Sequence, residues 1–430
     1  MRIRCFVTLI LLALLLACSP ASSDPKVPIV SPQDLDQPVE TGAWFIEVAG
    51  AGPVWLTPEI LSTMGVDDPH LSIDGQPLPT LPVGGGLLFF APDEATRYTE
   101  RTHVRVDLGR PGQPMETADL PAPDVTTGLG WGTLHQDWDE TYMPEAITET
   151  WVGEVLYAPA SLDYVVDLPA GAPGPLAIDL RVYSHTDLPP APDHRLILHW
   201  DSQQVGEWRW DGEGLQRLTA AWEVDQGGRH TLTVETPAIA GVDVGVVWVD
   251  GWDVTYMRQA APDGAIWQAT SVGVALGEVA DGARLVDVSD PFAPIDLGPI
   301  PADGVVGAEA GHWYWSGVPS AARRPLAIRS VEWVNVDALH GVEYVVVAPR
   351  PFHAAVEPLL AHRGDQGMTT ALLSPQAVYD TLGTGQPDPA AIQALVDALP
   401  DLRYLLLVGD GSVEPGGYDG DMGATRVVMP

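Results

Sequence analysis

The chain has 430 residues, with 58 Asp and Glu against 21 Lys and Arg, so its formal net charge is −37 at pH 7. A surface of this charge repels nucleic acid and anionic lipid headgroups, which excludes a nucleic-acid-binding protein. Hydrophobic residues make up 46% of the sequence and there are 15 Trp, which also excludes an acidic, disordered chain.

The N-terminus has the layout of an export signal. Arg2 and Arg4 precede an apolar run over residues 6–17 that is too short to span a bilayer, and Cys18 follows it. The last four residues of this stretch, Leu-Leu-Ala-Cys, resemble a lipobox. We therefore expect residues 1–17 to be removed as a lipoprotein signal peptide and Cys18 to carry lipid, with an ordinary secretory signal as the alternative. The predicted location is the cell envelope, lipid-anchored at the outer membrane or the cell surface.

Cysteine chemistry in the mature chain follows from a count. Cys5 and Cys18 are the only two cysteines. If the first leaves with the signal and the second is lipidated, the mature chain has no disulfide and no thiol nucleophile.

The first region after the signal is predicted to be a flexible tether, followed by a small β-rich domain. Residues 18–42 are rich in Ser, Pro and Asp and lack apolar periodicity. In the domain, over residues 43–110, a short helix is predicted at 58–64 with Thr57 as its N-cap. Strands are predicted at residues 44–48, 54–56, 71–73, 87–90 and 104–108. Residues 111–150 are predicted to be a linker or an extended crossover.

A β jelly roll is predicted over residues 151–260. Seven regularly spaced apolar runs indicate a sandwich, with strands at residues 162–167, 176–183, 195–200, 207–210, 217–222, 230–235 and 244–256. Six tryptophans fall in this region, at positions 200, 208, 210, 222, 248 and 252. Exposed indoles would suit a carbohydrate platform, but we favour the sandwich core and its rim, because large aromatic side chains are usually buried.

The chain then changes class. Residues 261–340 are predicted to be a small β region, with strands at 282–288, 312–315 and 328–334 in a sheet packed on the next domain. From residue 341, strand and helix patterns alternate, which predicts an α/β parallel sheet with right-handed crossovers. The predicted strands are 344–348, 368–373 and 404–408, and the predicted helices follow Phe352 and cover 375–382 and 389–399. In such sheets the chemistry lies beyond the carboxyl ends of the strands.

The loop after the last of these strands offers the candidate site residues. Asp410, Asp419 and Asp421, together with Glu414, lie in a Gly-rich segment, where oxygen ligands could hold calcium. Solvated loop acids are the commoner case. Ser412 is not in a Gly-x-Ser-x-Gly elbow, and a simple turn explains it better than a nucleophile does.

Histidines 194 and 199, and the pair 353 and 362, lack the spacing of a His-Glu-x-x-His zinc site, so we expect surface or internally hydrogen-bonded side chains. No cofactor other than calcium is suggested.

Residues 341–412 resemble the gingipain-like cysteine peptidases, whose catalytic domain has a caspase-like fold. Four pieces match in order: Tyr-Val-Val-Val-Ala-Pro at 344–349 with Phe352; residues 358–367; Val-Tyr-Asp at 378–380 with Gly385 and residues 388–392; and residues 404–410. Residues 246–258 are similar to the closing strand of the jelly roll in relatives of the type IX secretion sorting peptidase. Residues 88–90 and 97–99 are similar to an N-terminal motif of the same proteins.

The resemblance implies a cysteine endopeptidase, but the residues that would perform the reaction are missing. In that family the catalytic dyad is a His in a Gly-His-Gly-type turn and a Cys on a later strand. None of the 11 histidines here has Gly on both sides, and the mature chain has no free thiol.

We therefore assign no catalytic residue. We expect this chain to be an inactive N-terminal portion of an exported peptidase that acts on proteins or peptides once it is completed downstream. The expected sheet is then incomplete, which leaves the strand at 344–348 or another strand with an unpaired edge. The alternative is a non-catalytic surface lipoprotein whose jelly roll binds protein or glycan.

Overall fold

The structure is a computed structural model. It describes residues 29–30, 42–92, 94, 101–119, 123, 126–138, 141–142, 151–189, 191–411 and 428–429. Over these residues the chain is mostly β, with several separate hydrophobic cores. None of the helices in this described part combines the length and the apolar character that a membrane crossing requires.

The N-terminal β domain has the predicted strands and the predicted helix. Thr57 caps helix α1, its side chain accepting a hydrogen bond from the backbone N–H of Ile60. Strands β2, β8, β4 and β5 form one sheet, and β3, β7 and β6 form a second. Their bounds are β1 Ile29–Val30, β2 Ala43–Ala49, β3 Gly52–Leu56, α1 Pro58–Met64, β4 Pro69–Ile73, β5 Gln76–Leu78, β6 Leu81–Val83, β7 Gly86–Ala91 and β8 Arg101–Pro111. Strand β1, inside the expected tether, pairs elsewhere, as described below.

The expected linker contains a long strand, so that part of the prediction is wrong. The segment holds β9 Glu116–Thr117, β10 Thr126–Thr127, β11 Leu129–Asp137 and β12 Thr141–Tyr142. All nine residues of β11 pair antiparallel with residues 251–259. Two of the inward positions of β11 are Gly130 and Gly132, so the alternation of apolar side chains that would indicate a strand is interrupted. Gly132 is required there, because a Cβ would lie 2.9 Å from the ring of Tyr256.

The next region is the expected two-sheet antiparallel sandwich. One sheet has the order β15-β20-β17-β18, and the other contains β19-β16-β21-β11, with β14 also on β21. Of the six tryptophans, Trp200 and Trp252 are buried and the other four are half-buried, which confirms the core-and-rim interpretation. The bounds are β13 Trp151–Val152, β14 Val155–Tyr157, β15 Ala160–Leu168, β16 Gly171–Ser184, β17 His194–Trp200, β18 Gln203–Trp210, β19 Gly214–Val224, β20 Gly228–Thr236 and β21 Val246–Gln259.

The three predicted strands of the small β region do not form one sheet of their own, although β23 and β26 of this region pair with β10 in a small separate sheet. Strand β22 pairs with β11, so β22, β27, β24 and β25 extend the large sandwich sheet. Strand β28 instead pairs antiparallel with β2 of the N-terminal β domain. These partners are far away in sequence, which is why local patterns did not reveal them. The bounds are β22 Ile266–Ala269, β23 Gly273–Ala275, β24 Arg284–Asp287, β25 Ile295–Pro299, β26 Val305–Gly307, β27 Trp313–Gly317 and β28 Ala327–Ser330, with 3-10 turns at Pro319–Ala321 and Val336–Leu339.

The C-terminal part is the predicted parallel sheet. Its order is β1-β30-β29-β31, and all of its pairs are parallel. Strands β30 and β29 are therefore the inner strands. Among the described residues, β31 is the edge strand on the side of β29 that faces away from β30. Ser374 and Asp388 cap the second and third helices of this part. The bounds are β29 Tyr344–Val347, a 3-10 turn Arg350–Phe352, α2 His353–Asp365, β30 Thr370–Leu373, α3 Pro375–Leu382, α4 Pro389–Ala398, β31 Tyr404–Leu407, β32 Asp410–Gly411 and β33 Val428–Met429.

Candidate functional site

The parallel sheet has a topological switch point. After β29 the chain forms β30 on one side of it, and then crosses back to form β31 on the other side. The connection that leaves the carboxyl end of β29 therefore runs towards β30, away from β31, and a crevice at such a change of direction is where open α/β sheets bind ligands. We take this carboxyl edge as the candidate functional site.

Two of the turns at the carboxyl edge are held by one carboxylate. Ser374, which directly follows β30, donates from Oγ to Oε2 of Glu332 (2.7 Å). Arg350, in the turn after β29, donates from Nη2 to the same oxygen (3.1 Å). The Oγ of Ser374 also accepts from the backbone N–H of Ala377 (3.1 Å), so the contact fixes the start of α3. Sequence reasoning missed Glu332, because nothing in its local pattern points to the sheet.

The histidine that is closest in sequence to the end of β29 is hydrogen-bonded within the protein. His353 begins α2, and its Nε2–H donates to the carbonyl oxygen of Ala348 (2.8 Å). His194 likewise binds the carbonyl of Thr186 (2.8 Å), and His199 pairs with Glu235 (3.0 Å). These contacts confirm the expectation of hydrogen-bonded or surface histidines. Among the residues that the structure describes, no group of three His, Cys, Asp or Glu side chains forms a metal site.

The motif residues Val378, Tyr379 and Asp380 are buried and have structural roles. Val378 and Tyr379 are buried in the core between the sheet and helices α3 and α4. Burial raises the pKa of the Tyr379 hydroxyl, and the charge of Asp388 acts in the same direction, so this phenol stays protonated. Asp380 is fully buried and binds Arg329.

Strand β31 is apolar but half-exposed. Tyr404 and Leu407 are each 47% exposed, whereas every residue of β29 and β30 is buried. The tyrosine ring packs on Tyr344 of β29, with ring centroids 5.9 Å apart. Strands of parallel sheets are normally covered on both faces, so this exposure marks a surface that is suited to further packing.

Most of the predicted site residues lie outside the described residues. These are Cys18, Ser412, Glu414, Asp419 and Asp421. Asp410 begins β32, which pairs parallel with Val428–Met429, and its side chain is not described. Lipidation at Cys18 and calcium at Asp410, Asp419 and Asp421 therefore stay predictions.

Comparison with protein families identifies the C-terminal part. Residues 337–428 match the family model "Peptidase family C25". This part of the chain resembles the gingipain-like peptidases. We refer to residues 337–428 as the C25 segment, and the resemblance described from the motifs is confirmed there. No curated protein matches this sequence at a significant level.

Solved structures extend the likeness beyond the C25 segment. Dimeric latent PorU from Porphyromonas gingivalis is 14% identical, with a TM-score of 0.69 over 88% of this chain and 42% of the PorU chain. This likeness shows the fold of most of the chain, which spans less than half of the PorU chain. A family 35 carbohydrate binding module from Clostridium thermocellum is 13% identical and covers 31% of this chain and 98% of its own. Its TM-score is 0.19, so it carries no argument here.

Proposed function

We propose that this chain is the N-terminal part of an exported gingipain-like cysteine endopeptidase, whose catalytic His and Cys are supplied by sequence beyond residue 430. The C25 segment contributes the first strands of the catalytic sheet and the candidate functional site at their carboxyl edge. The sandwich and the N-terminal β domain precede it, in a fold that resembles PorU.

The observation that carries this proposal is the half-exposed strand β31 at the side of the sheet where a C25 domain would continue. Tyr404 and Leu407 offer apolar surface there, and the main chain of β31 offers a free edge among the described residues. A further strand or helix laid against β31 would bury both side chains and satisfy the edge. The added strands would place the dyad beside the crevice between β29 and β31.

On this proposal, the groups that perform the chemistry come from the downstream sequence. Peptide hydrolysis by a cysteine enzyme requires a thiolate, a histidine that exchanges protons with it, and backbone donors for the oxyanion. The residues of this chain would supply the support for those groups. Glu332, Ser374 and Arg350 would hold two turns of the carboxyl edge in place.

The test compares the 430-residue chain with a chain extended by the downstream coding sequence. The shorter chain should neither cleave peptides after Arg, Lys or other residues nor react with thiol-directed inhibitors. The extended sequence should contain a Gly-His-Gly-type turn followed by a cysteine, and that protein should lose its activity when the cysteine is changed to alanine. Thiol-dependent turnover by the shorter chain, or a downstream sequence without both residues in any frame, would refute the proposal.

Export is tested separately at Cys18. Labelling with a palmitate analogue in cells should tag the wild-type chain and not Cys18→Ser. Equal labelling of the two would refute lipidation at Cys18 and would leave the peptidase proposal unaffected. The alternative of a glycan-binding lipoprotein gains no support from the sandwich, where none of the six tryptophans is exposed.

A further inference from the structure

The segment that enters the C25 segment is hydrogen-bonded to both sheets of the N-terminal β domain. We call residues 322–332 the strap. Within it, β28 pairs with β2 from Trp44 to Glu47. Before β28, the backbone N–H of Arg323 donates to the carbonyl of Pro53 (3.0 Å), and its own carbonyl accepts from the N–H of Trp55 (2.9 Å). The strap is therefore a part of the N-terminal β domain by its main-chain bonds.

The side chain of Arg329 links the strap to helix α3. Its guanidinium donates from Nη1 and Nη2 to the two carboxylate oxygens of Asp380 (2.7 and 3.0 Å). The carboxylate is completely buried, and it also accepts from the backbone N–H of Glu332 (2.8 Å) and from Nε2 of Gln376 (2.7 Å). A planar guanidinium bound to a carboxylate by two parallel bonds fixes orientation as well as distance.

The N-terminal β domain also contacts the connection between α3 and α4 directly. Phe45 of β2 is buried, and the guanidinium of Arg329 lies 4.8 Å from the centroid of its ring. On the same side, Gly385 approaches the ring so closely that a Cβ on this glycine would lie 2.5 Å from the phenyl carbon Cζ. The carbonyl of Gly385 accepts from Nη2 of Arg329 (3.0 Å), so one arginine holds both the helix and the connection.

The strap ends at the candidate functional site. Three residues after Arg329, the carboxylate of Glu332 binds Ser374 and Arg350 at the carboxyl edge. A continuous set of contacts therefore runs from Phe45 in the N-terminal β domain, through Arg329 and Asp380, to the turns after β29 and β30.

We propose that the N-terminal β domain positions the C25 segment, acting through Arg329 and Glu332 of the strap on helix α3 and on the turns of the carboxyl edge. The importance of that edge rests on the proposed function, whereas the contacts themselves do not depend on it.

Hydrogen exchange measured by mass spectrometry on the full chain tests this coupling. In Arg329→Gln, amides of residues 374–386 and 349–353 should exchange about tenfold faster or more, because a bidentate charged contact is lost. In Glu332→Gln the increase should be confined to residues 349–353 and the start of α3, with β2 and β28 unchanged. Arg217→Gln removes a surface ion pair with Asp179 on the sandwich and serves as the matched control, without an effect on either region.

Unchanged exchange at residues 374–386 in Arg329→Gln would overturn the proposal, and so would an equal increase in all regions. If Arg329→Gln does not fold, Arg329→Lys decides. This variant keeps the charge but loses the two parallel bonds, so it should show a selective increase at 374–386, and wild-type exchange there would overturn the coupling. The readout involves no hydrolysis, so the outcome is independent of whether the extended protein proves to be a peptidase.

Discussion

At the scale of single residues, Asp380 places a fully buried carboxylate in the C25 segment. Its buried carboxylate receives hydrogen bonds from Arg329, from the backbone of Glu332 and from Gln376. Burial of a charge is unfavourable unless it is paired and fully hydrogen-bonded, and here both conditions are met. The arrangement is therefore sensitive to the removal of either partner.

Asp380→Ala should lower the free energy of unfolding by about 3–5 kcal/mol, because it leaves the Arg329 guanidinium without its buried counter-charge. Chemical denaturation of the purified chain measures this. Asp397→Ala, on the exposed face of the neighbouring helix α4, is the control and should change stability by no more than about 0.5 kcal/mol. Similar losses in the two variants would show that the pair contributes little.

His103 makes the same region sensitive to pH. Its ring is buried beside Phe45, with Nε2 3.8 Å from Oε1 of Glu47 and Nδ1 3.3 Å from the carbonyl of Arg101. Burial lowers the pKa of His103, and Arg329 lowers it further. Glu47, the Arg101 carbonyl and Asp380 oppose the shift. The folded protein thus favours the neutral ring.

Acidification should destabilise the protein through this histidine. Its pKa is lower in the folded state than the value of about 6.5 in the unfolded state, so the unfolded chain binds the extra proton more readily. The stabilising effect is complete above that unfolded pKa and is lost as the pH falls from it through the folded pKa. Urea midpoints at about pH 7.5 and about pH 5.5 should differ less in His103→Gln than in the wild type. An equal difference in both would show that other groups cause the loss.

At the scale of elements, the α3–α4 connection depends on a glycine for two separate reasons. Gly385 has φ of +85°, a conformation that disfavours residues with a side chain, and it also packs against the ring of Phe45. Gly367 has the same φ but has no neighbouring atom near the position of a Cβ. The two glycines therefore separate backbone strain from steric contact.

Gly367→Ala should cost about 1 kcal/mol from backbone strain alone. Gly385→Ala should cost about 1–3 kcal/mol more, because the added methyl group forces Phe45 or the connection to move. Thermal and chemical unfolding of the two variants measure the difference. Equal losses would mean that the contact with Phe45 adjusts freely.

The sequence predicted those elements whose signals are local. The helix at 375–382 was predicted with its observed bounds, because Ser374 caps it and Pro375 begins it. Strand β29 was visible as a continuous apolar run. Strand β11 was missed because glycine occupies two of its inward positions, and the partner of β28 was missed because it lies far away in the sequence.

The same limit applies to the candidate site. The alternation of strands and helices predicted the parallel sheet, but Glu332 reaches the carboxyl edge, and Arg329 reaches helix α3, only through tertiary contacts.

At the scale of the whole molecule, the net charge of −37 opposes folding. Mutual repulsion of the acidic groups is stronger in the compact state than in the unfolded chain. Arginine pairs such as Arg217 with Asp179 offset only part of it, because exposed pairs contribute little. Salt should therefore stabilise the folded protein by screening this repulsion, and this gain should exceed the loss from weaker ion pairs.

We expect the melting temperature to rise when NaCl is increased from about 0.01 M to about 0.15 M, as the screening length shortens from about 30 Å to about 8 Å. Differential scanning calorimetry in the two buffers measures the shift. A lower melting temperature at the higher salt concentration would mean that attractive ion pairs, rather than net repulsion, dominate the electrostatics.

The pairing of β2 with β28 has a consequence for the order in which the molecule is made. Trp44 pairs with Ser330, so the N-terminal β domain lacks one of its strands until Ser330 has left the ribosome. Closing so long a loop has an entropic cost that grows with its length, and folds dominated by such distant pairs are slow to form. Until then the free edge of β2 is open to other chains, so the nascent protein is exposed to aggregation while all the residues between the two strands are being made.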